Sequence, residues 1–194
     1  MIEGSRIRLR DWSEADLPAL TSWRNDVALQ SQLLARVRGS SIDQVRQWAQ
    51  ERSRGETSLL WVIATREGDR AIGYVQLVGL DDLDQCGDLG ICLEPGSQGA
   101  GVGREVLSLL IAHVRQLRPF RKFELRVRAD NARAIRCYES VGFVRCGVLH
   151  ARTFVEGDYA DVTLMERFLV EPETGRSRAR RDLAVHALPM GRHA

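Results

Sequence analysis

Lysine is almost missing from this sequence: Lys122 is the only one among 28 basic residues, so arginine carries nearly all the positive charge. The formal net charge is only +2, which leaves no global field to hold a polyanion. A nucleic-acid partner is therefore not expected. Cysteine is also scarce. Cys86, Cys92, Cys137 and Cys146 form no C-x-x-C pair and no Cys/His cluster at zinc-site spacing, so no metal is expected. No apolar run is long enough to span a bilayer. The opening "MIEGSRIRLRDW" has no apolar stretch of the secretory kind. These absences point to a cytoplasmic, reduced protein with free thiols and no membrane partner. No internal repeat is visible.

What remains is an ordinary globular composition, with 44% hydrophobic residues in 194, enough for one domain with a core. "RIRLRDW" alternates and reads as a strand. "SEADLPALTSWRND" reads as a helix, with Ser13 and Asp16 at capping-box spacing and Leu17, Leu20, Trp23 and Val27 at helical spacing. A second helix fits residues 43–52. "LLWVIATREGDRAIGYVQLVGL" is two strands about a Glu67-Gly68-Asp69 turn. "GDLGICLE" is a fourth strand, residues 101–117 a helix, and "KFELRVRAD" a fifth strand. "NARAIRCYESVG" is a short helix with Asn131 as N-cap and Gly142 as stop. A final hairpin turns near Glu156-Gly157-Asp158. The order βααβββαβαββ gives a mixed α/β domain over residues 1–169. Residues 170–194 read as a polar, arginine-rich, flexible tail.

The densest signal is "EPGSQGAGVGREVLSLL", a glycine loop between a strand and a helix start. A helix N-terminus offers unpaired N–H groups and a partial positive charge, so an anion fits there. A tight turn without a ligand is the plainer alternative. The loop is not a Walker loop, because Val102 and Gly103 stand where Lys and Ser/Thr are needed. A Rossmann turn would need a small residue at Val106.

"QGAGVG" matches the Q/R-x-x-G-x-G/A signature of the GCN5-related N-acetyltransferase (GNAT) superfamily, and "NARAIRCYESVGF" is similar to its second cofactor motif. The order of elements fits that family from residue 6 to residue 169. "WRND" and "GDYADVTLM" resemble the branch of ribosomal-protein N-terminal acetyltransferases and related amino-sugar acetyltransferases. The resemblance implies a central, mostly antiparallel sheet of about seven strands, with the fourth and fifth splayed. It implies acetyl-CoA as cosubstrate. Gln98, Gly99, Ala100, Gly101, Val102, Gly103 and Arg104 would hold its pyrophosphate. Ile91, Cys92 and Leu93 would line its arm, and Asn131, Ala134 and Tyr138 would contact it. Tyr138 would protonate the departing sulfur, although its spacing also suits a core aromatic.

A base must take the amine's proton. Asp88, acting through water, is the candidate, with Glu94, His150, Glu156 and Asp161 as weaker ones. Cys137 beside Tyr138 raises a covalent relay, but no His neighbours it in sequence. Arg24, Asn25 and His150 are candidate acceptor contacts. The implied function is direct acetylation of a primary amine, a protein or peptide N-terminus first. An amino-sugar nucleotide acetyltransferase and a non-catalytic acyl-CoA sensor are alternatives. A monomer or homodimer is expected.

Overall fold

In "IRLR" the apolar residues alternate with arginines, and the chain there is a strand, β2 (Ile7–Arg10), with Ile7 and Leu9 buried. The computed structural model describes residues 1–35, 39–117, 119–155 and 157–170. Before β2 lies a two-residue strand, β1 (Ile2–Glu3). The others are β3 (Ser58–Thr65), β4 (Ala71–Asp81), β5 (Cys86–Leu93), β6 (Lys122–Arg128), β7 (Val144–Val155) and β8 (Asp158–Phe168). They form one eight-stranded sheet in the order β1-β2-β3-β4-β5-β6-β8-β7. Every neighbouring pair is antiparallel except β5 and β6. This is the mixed α/β architecture expected, with β1 adding to the expected count. The expected tail falls outside the described residues apart from Val170, as does Glu156.

The helices are α1 (Leu17–Asn25), α2 (Val27–Gln32), α3 (Ile42–Arg54), α4 (Val102–Leu117) and α5 (Ala132–Glu139). The sequence pattern reads through Asp26 as one helix, but the chain breaks there. Asp26 is extended at φ −77 and ψ 110, and its side chain accepts the Leu29 N–H at 2.9 Å. An acidic side chain that caps the next residues starts a new helix rather than ending the old one. α2 is the result, and the helical stripe alone does not show it.

Hydrophobic cores cover both faces of the sheet. On one face α4 buries Val106, Leu107, Leu110 and Val114 against Val75, Leu77, Phe123 and Leu125, and α5 adds Ile135 and Tyr138. On the other, Leu17, Leu20 and Trp23 of α1 and Val45 and Ala49 of α3 pack on Leu60, Tyr74 and Cys92. Burial on both sides places the sheet as the middle layer between its helices.

One seam is open. β5 and β6 pair only at Cys86–Lys122, Gly87–Phe123 and Asp88–Glu124, although both strands run on. The Glu94 N–H donates to the Ile72 carbonyl at 2.9 Å. Bonded pairs alternate along an antiparallel ladder, so Cys92 and Gly90 bond to β4. The backbone groups of Ile91 and Leu93 then face the opposite way, into the gap where β6 has diverged. Among the described residues no helix is long and apolar enough to cross a membrane.

Candidate functional site

The glycine loop follows β5 and a single 3-10 turn at Pro95–Ser97. Gly99 and Gly101 sit at φ +86 and +79, the left-handed region where a Cβ is strained. Gly103 is needed for packing: a Cβ there would lie 3.1 Å from the Cys137 sulfur, tying the start of α4 to α5.

Gln98 braces the loop. Its backbone N–H donates to the Pro95 carbonyl at 3.3 Å, and its Nε2 donates to the Leu93 carbonyl at 2.7 Å. Both donors of Gln98 are thus engaged within the loop. Ala100 and Val102 do not line the cleft. The Val102 side chain is buried in the core, and the Ala100 carbonyl accepts from Arg6 Nη1 at 2.7 Å. Arg6 also pairs with Glu105 in the first turn of α4, Nε to Oε2 at 2.9 Å. Burial alone would raise the Glu105 carboxyl. The N–H and guanidinium of Arg6 and the hydroxyl of Ser5 outweigh that and hold it down to about 2. The N-terminal strand thus fastens the loop from behind, a contact with no signal in the loop's own sequence.

Where β5 and β6 part, a cleft of about 630 Å³ runs through the sheet. Ile91, Cys92, Leu93, Gln98, Gly99, Gly101, Gly103, Arg104, Asn131, Ala134 and Tyr138 all line it. Cys92 does so with a difference: its side chain is buried in the second core, and its thiol is pushed up to about 12, first by desolvation. On the α5 side, Asn131 Oδ1 accepts the Ala134 N–H at 3.1 Å as the helix cap. Its Nδ2 has no partner among the described residues. Tyr138 is 7% exposed and packs edge-on against Phe143. Burial, then Cys137, raises its phenol above the usual range, so it keeps its proton. Cys137 is half-buried, with its thiol raised chiefly by desolvation. A thiol so held is a poor nucleophile.

Three arginines, Arg104, Arg133 and Arg136, line the cleft near the loop. None has an ion-pair partner among the described residues. The last two went unrecognised in the sequence, although their spacing of three on α5 puts them on neighbouring helical positions.

The other face of the cleft is built from four elements. α2 and the turn after it supply Leu29, Gln32, Leu33 and Leu34; β4 supplies Gln76 and Val78; β5 supplies Asp88 and Gly90; β6 supplies Arg126. Burial raises the Asp88 carboxyl above the usual carboxylate range; Arg126 opposes this and Glu124 adds to it. Among the described residues Asp88 is the only carboxylate lining the cleft. Of these residues sequence reasoning singled out only Asp88. Gln76 left a faint signal, a polar residue inside the apolar run "YVQLV".

Three expected acceptor contacts lie outside the cleft. Arg24 stacks on Trp48, 4.3 Å from the ring centre. Asn25 bonds both the N–H and the carbonyl of Ser40, at 2.8 and 2.9 Å, and so closes the segment after α2. His150 is exposed on β7, with Nδ1 3.0 Å from Asp161. Only Asn25 serves loop closure; Arg24 and His150 are taken up by Trp48 and Asp161. Among the described residues no group of three or more His, Cys, Asp or Glu could hold a metal.

Comparison with known proteins fits this geometry. The profile of the acetyltransferase (GNAT) domain matches residues 6–144. The ribosomal-protein-serine acetyltransferase of Escherichia coli is 29% identical over 101 residues, 52% of this chain and 56% of that protein. The spermidine N(1)-acetyltransferase of Vibrio cholerae is 30% identical over 94 residues, 48% of this chain and 54% of that protein. The chain therefore spans about half the length of these curated relatives. The crystal structure of the Vibrio cholerae spermidine N-acetyltransferase with CoA and spermine superposes with a TM-score of 0.79 at 23% identity, over 86% of this chain and 97% of that one.

That relative also corrects the expectation of a monomer or homodimer, since it has a dodecameric structure. The fold itself does not confine assembly to one or two copies. In this chain β7 is an outer strand of the sheet and exposes Val144, Val148 and Phe154.

Proposed function

The chain belongs to the acetyltransferase (GNAT) domain family, and from that premise we propose that it transfers an acetyl group from acetyl-CoA directly to a primary amine. The observation that carries this reading is the slot through the sheet. Among the described residues it has a glycine loop with three arginines without ion-pair partners at one end and a single raised carboxylate at the other.

The residues present fit acetyl-CoA. The glycines at positive φ bring backbone close to a pyrophosphate at the start of α4, and Arg104, Arg133 and Arg136 supply positive charge for phosphates. The outward-facing backbone of Ile91 can bond an extended amide-bearing arm, as an added strand would, while the Leu93 carbonyl is held by Gln98. Asn131 Nδ2 is a further donor on the facing wall. When bound, the cosubstrate supplies the activated acetyl thioester. The Leu93 N–H faces the gap and stabilises negative charge developing on the carbonyl oxygen. Asp88 accepts the amine's proton, directly or through water; its raised pKa makes it a better base than an ordinary carboxylate. Tyr138, protonated on the opposite wall, donates to the leaving sulfur.

The acceptor is the α-amine of a protein or peptide. The relatives divide between a ribosomal-protein acetyltransferase and a spermidine acetyltransferase, and the charge of the acceptor face favours the first. A polyamine carries further ammonium groups that need carboxylates. Among the described residues the cleft has one, Asp88, and Arg126 acts against its need for a cation. An α-amine also has a pKa of about 7.7–8.0, against about 10.4 for an alkylamine, so one modest base suffices. The test is an acceptor screen with acetyl-CoA and mass detection, including a peptide with a free N-terminus, spermidine and glucosamine. The peptide is expected to be acetylated fastest. Faster acetylation of spermidine would overturn the peptide assignment, and no product from any amine would overturn the enzyme.

A further inference from the structure

Among the described residues Gln76 is the one cleft-lining side chain that carries a buried polar atom without a partner. It lies in β4, where Tyr74, Gln76 and Val78 alternate onto the α2 face of the sheet. Gln76 stands opposite Gly90, and Val78 stands opposite Asp88. Gly90 leaves room for the amide: a Cβ there would lie 3.4 Å from Gln76 Nε2. The Oε1 atom is buried and receives no hydrogen bond. A buried acceptor with no donor weakens the folded state, and a half-turn of the amide exchanges Oε1 with Nε2, which lets the oxygen take a donor from the cleft.

We propose that Gln76 Oε1 receives one N–H of the acceptor amine and, with Asp88, makes the site selective for primary amines. This rests on the acetyltransferase reading above. Gln76 and Asp88 are diagonal neighbours on one face of an antiparallel pair, a separation of about 7–8 Å between backbones. One nitrogen fits between their side chains. A neutral primary amine has two N–H groups and one lone pair. With one N–H on Gln76 and the other on Asp88, the lone pair is left for the gap between β5 and β6. A secondary amine has a single N–H and satisfies only one of the two acceptors. Gln76 is thus a binding and orienting residue, and Asp88 takes the proton.

The test is calorimetry on the full chain saturated with CoA. It is titrated with a seryl-initiated tetrapeptide, its N-methyl counterpart, spermidine and glucosamine, for wild type, Gln76→Leu and Gln76→Glu. The best-bound primary amine is expected to lose about tenfold or more in affinity in Gln76→Leu. CoA affinity should be unchanged, and the melting temperature unchanged or higher, because an unpaired buried oxygen is gone. Gln76→Glu, which keeps an acceptor oxygen in place, should restore binding. The preference for the primary over the N-methyl peptide should be present in wild type and lost in Gln76→Leu. Wild-type amine affinity in Gln76→Leu, or no restoration in Gln76→Glu, overturns the role of Gln76 and leaves the acetyltransferase reading intact. Failure of the wild type to bind CoA, or to bind any of the amines, overturns both.

Discussion

The two ends of the cleft are built on different principles. At the loop end the binding groups are mostly backbone, from one stretch of chain between β5 and α4. Their geometry is set by glycines at positive φ. At the α2 end the groups are side chains, and they arrive from α2, β4, β5 and β6. A backbone site accepts one ligand shape and changes little unless its conformation is broken. A side-chain site can be retuned one residue at a time. A cosubstrate shared across a family suits the first, and an acceptor that differs between relatives suits the second.

Substitutions at each end should therefore separate cleanly. The largest effect belongs to the base. Asp88→Asn should lower turnover by about 10²–10⁴-fold, the usual worth of a positioned base, and leave CoA affinity unchanged in a binding titration. Equal losses in turnover and CoA affinity would mean that the two ends are not independent. In wild type the acid limb of the pH–rate profile should lie above the ordinary carboxylate range, because the Asp88 pKa is raised. That limb should vanish in Asp88→Asn. Stability shifts in the opposite sense. A group whose folded pKa is raised stabilises the fold below its unfolded pKa, and loses that contribution as pH rises through the folded value. At neutral pH Asp88→Asn should therefore melt no lower than wild type, and loss of stability there would contradict the burial of Asp88.

At the loop end, Gly101→Val places a branched side chain at φ +79, with its Cβ 3.4 Å from Arg6 Nη2. Strain of about 1–3 kcal/mol corresponds to roughly 5–150-fold in CoA affinity. The acceptor's affinity, measured separately, should be unaffected. Tyr138→Phe comes next. A thiol leaves readily, with a pKa of about 8.5, so loss of its proton donor should lower turnover by only about tenfold, well short of the full worth of an acid. Turnover equal to wild type would leave Tyr138 with only its packing on Phe143.

The same contrast explains what the sequence could show. Loop glycines, the Asn131 cap and Tyr138 sit in two contiguous motifs, so local pattern reaches them. The elements and their order along the chain follow from alternation and from the helical stripes of α1, α3 and α4, which local physics controls, whereas the sheet they form was legible only through the family resemblance. α2 is hidden because one aspartate, Asp26, ends one helix and caps the next within a residue. Gln76, Arg126 and Leu33 share a wall only through strand register and helix placement, which no window of sequence contains. Arg24 and Asn25 erred the other way. They lie at a helix end that looks exposed to a ligand, yet Trp48 and Ser40 take them up.

The smallest effect lies behind the loop, where a side chain acts on the backbone site. Glu105 joins Ser5 and Arg6 to the first turn of α4, and Arg6 in turn holds the Ala100 carbonyl. Glu105→Gln keeps the shape and removes the charge. The loop glycines remain at their positive φ, so CoA affinity should fall only a few-fold, on the order of 1 kcal/mol or less for one exposed ion pair. Stability carries the sharper signature. The Glu105 carboxyl is held down to about 2 from an ordinary 4.5. A depressed carboxylate stabilises the fold above its unfolded pKa and loses that contribution as pH falls through the folded value. The melting-temperature gap between wild type and Glu105→Gln should be full at pH 7 and shrink between pH 4.5 and 2. No gap at pH 7 would show that the Glu105 charge adds nothing, and the loop would then be fixed by its glycines without help from that ion pair.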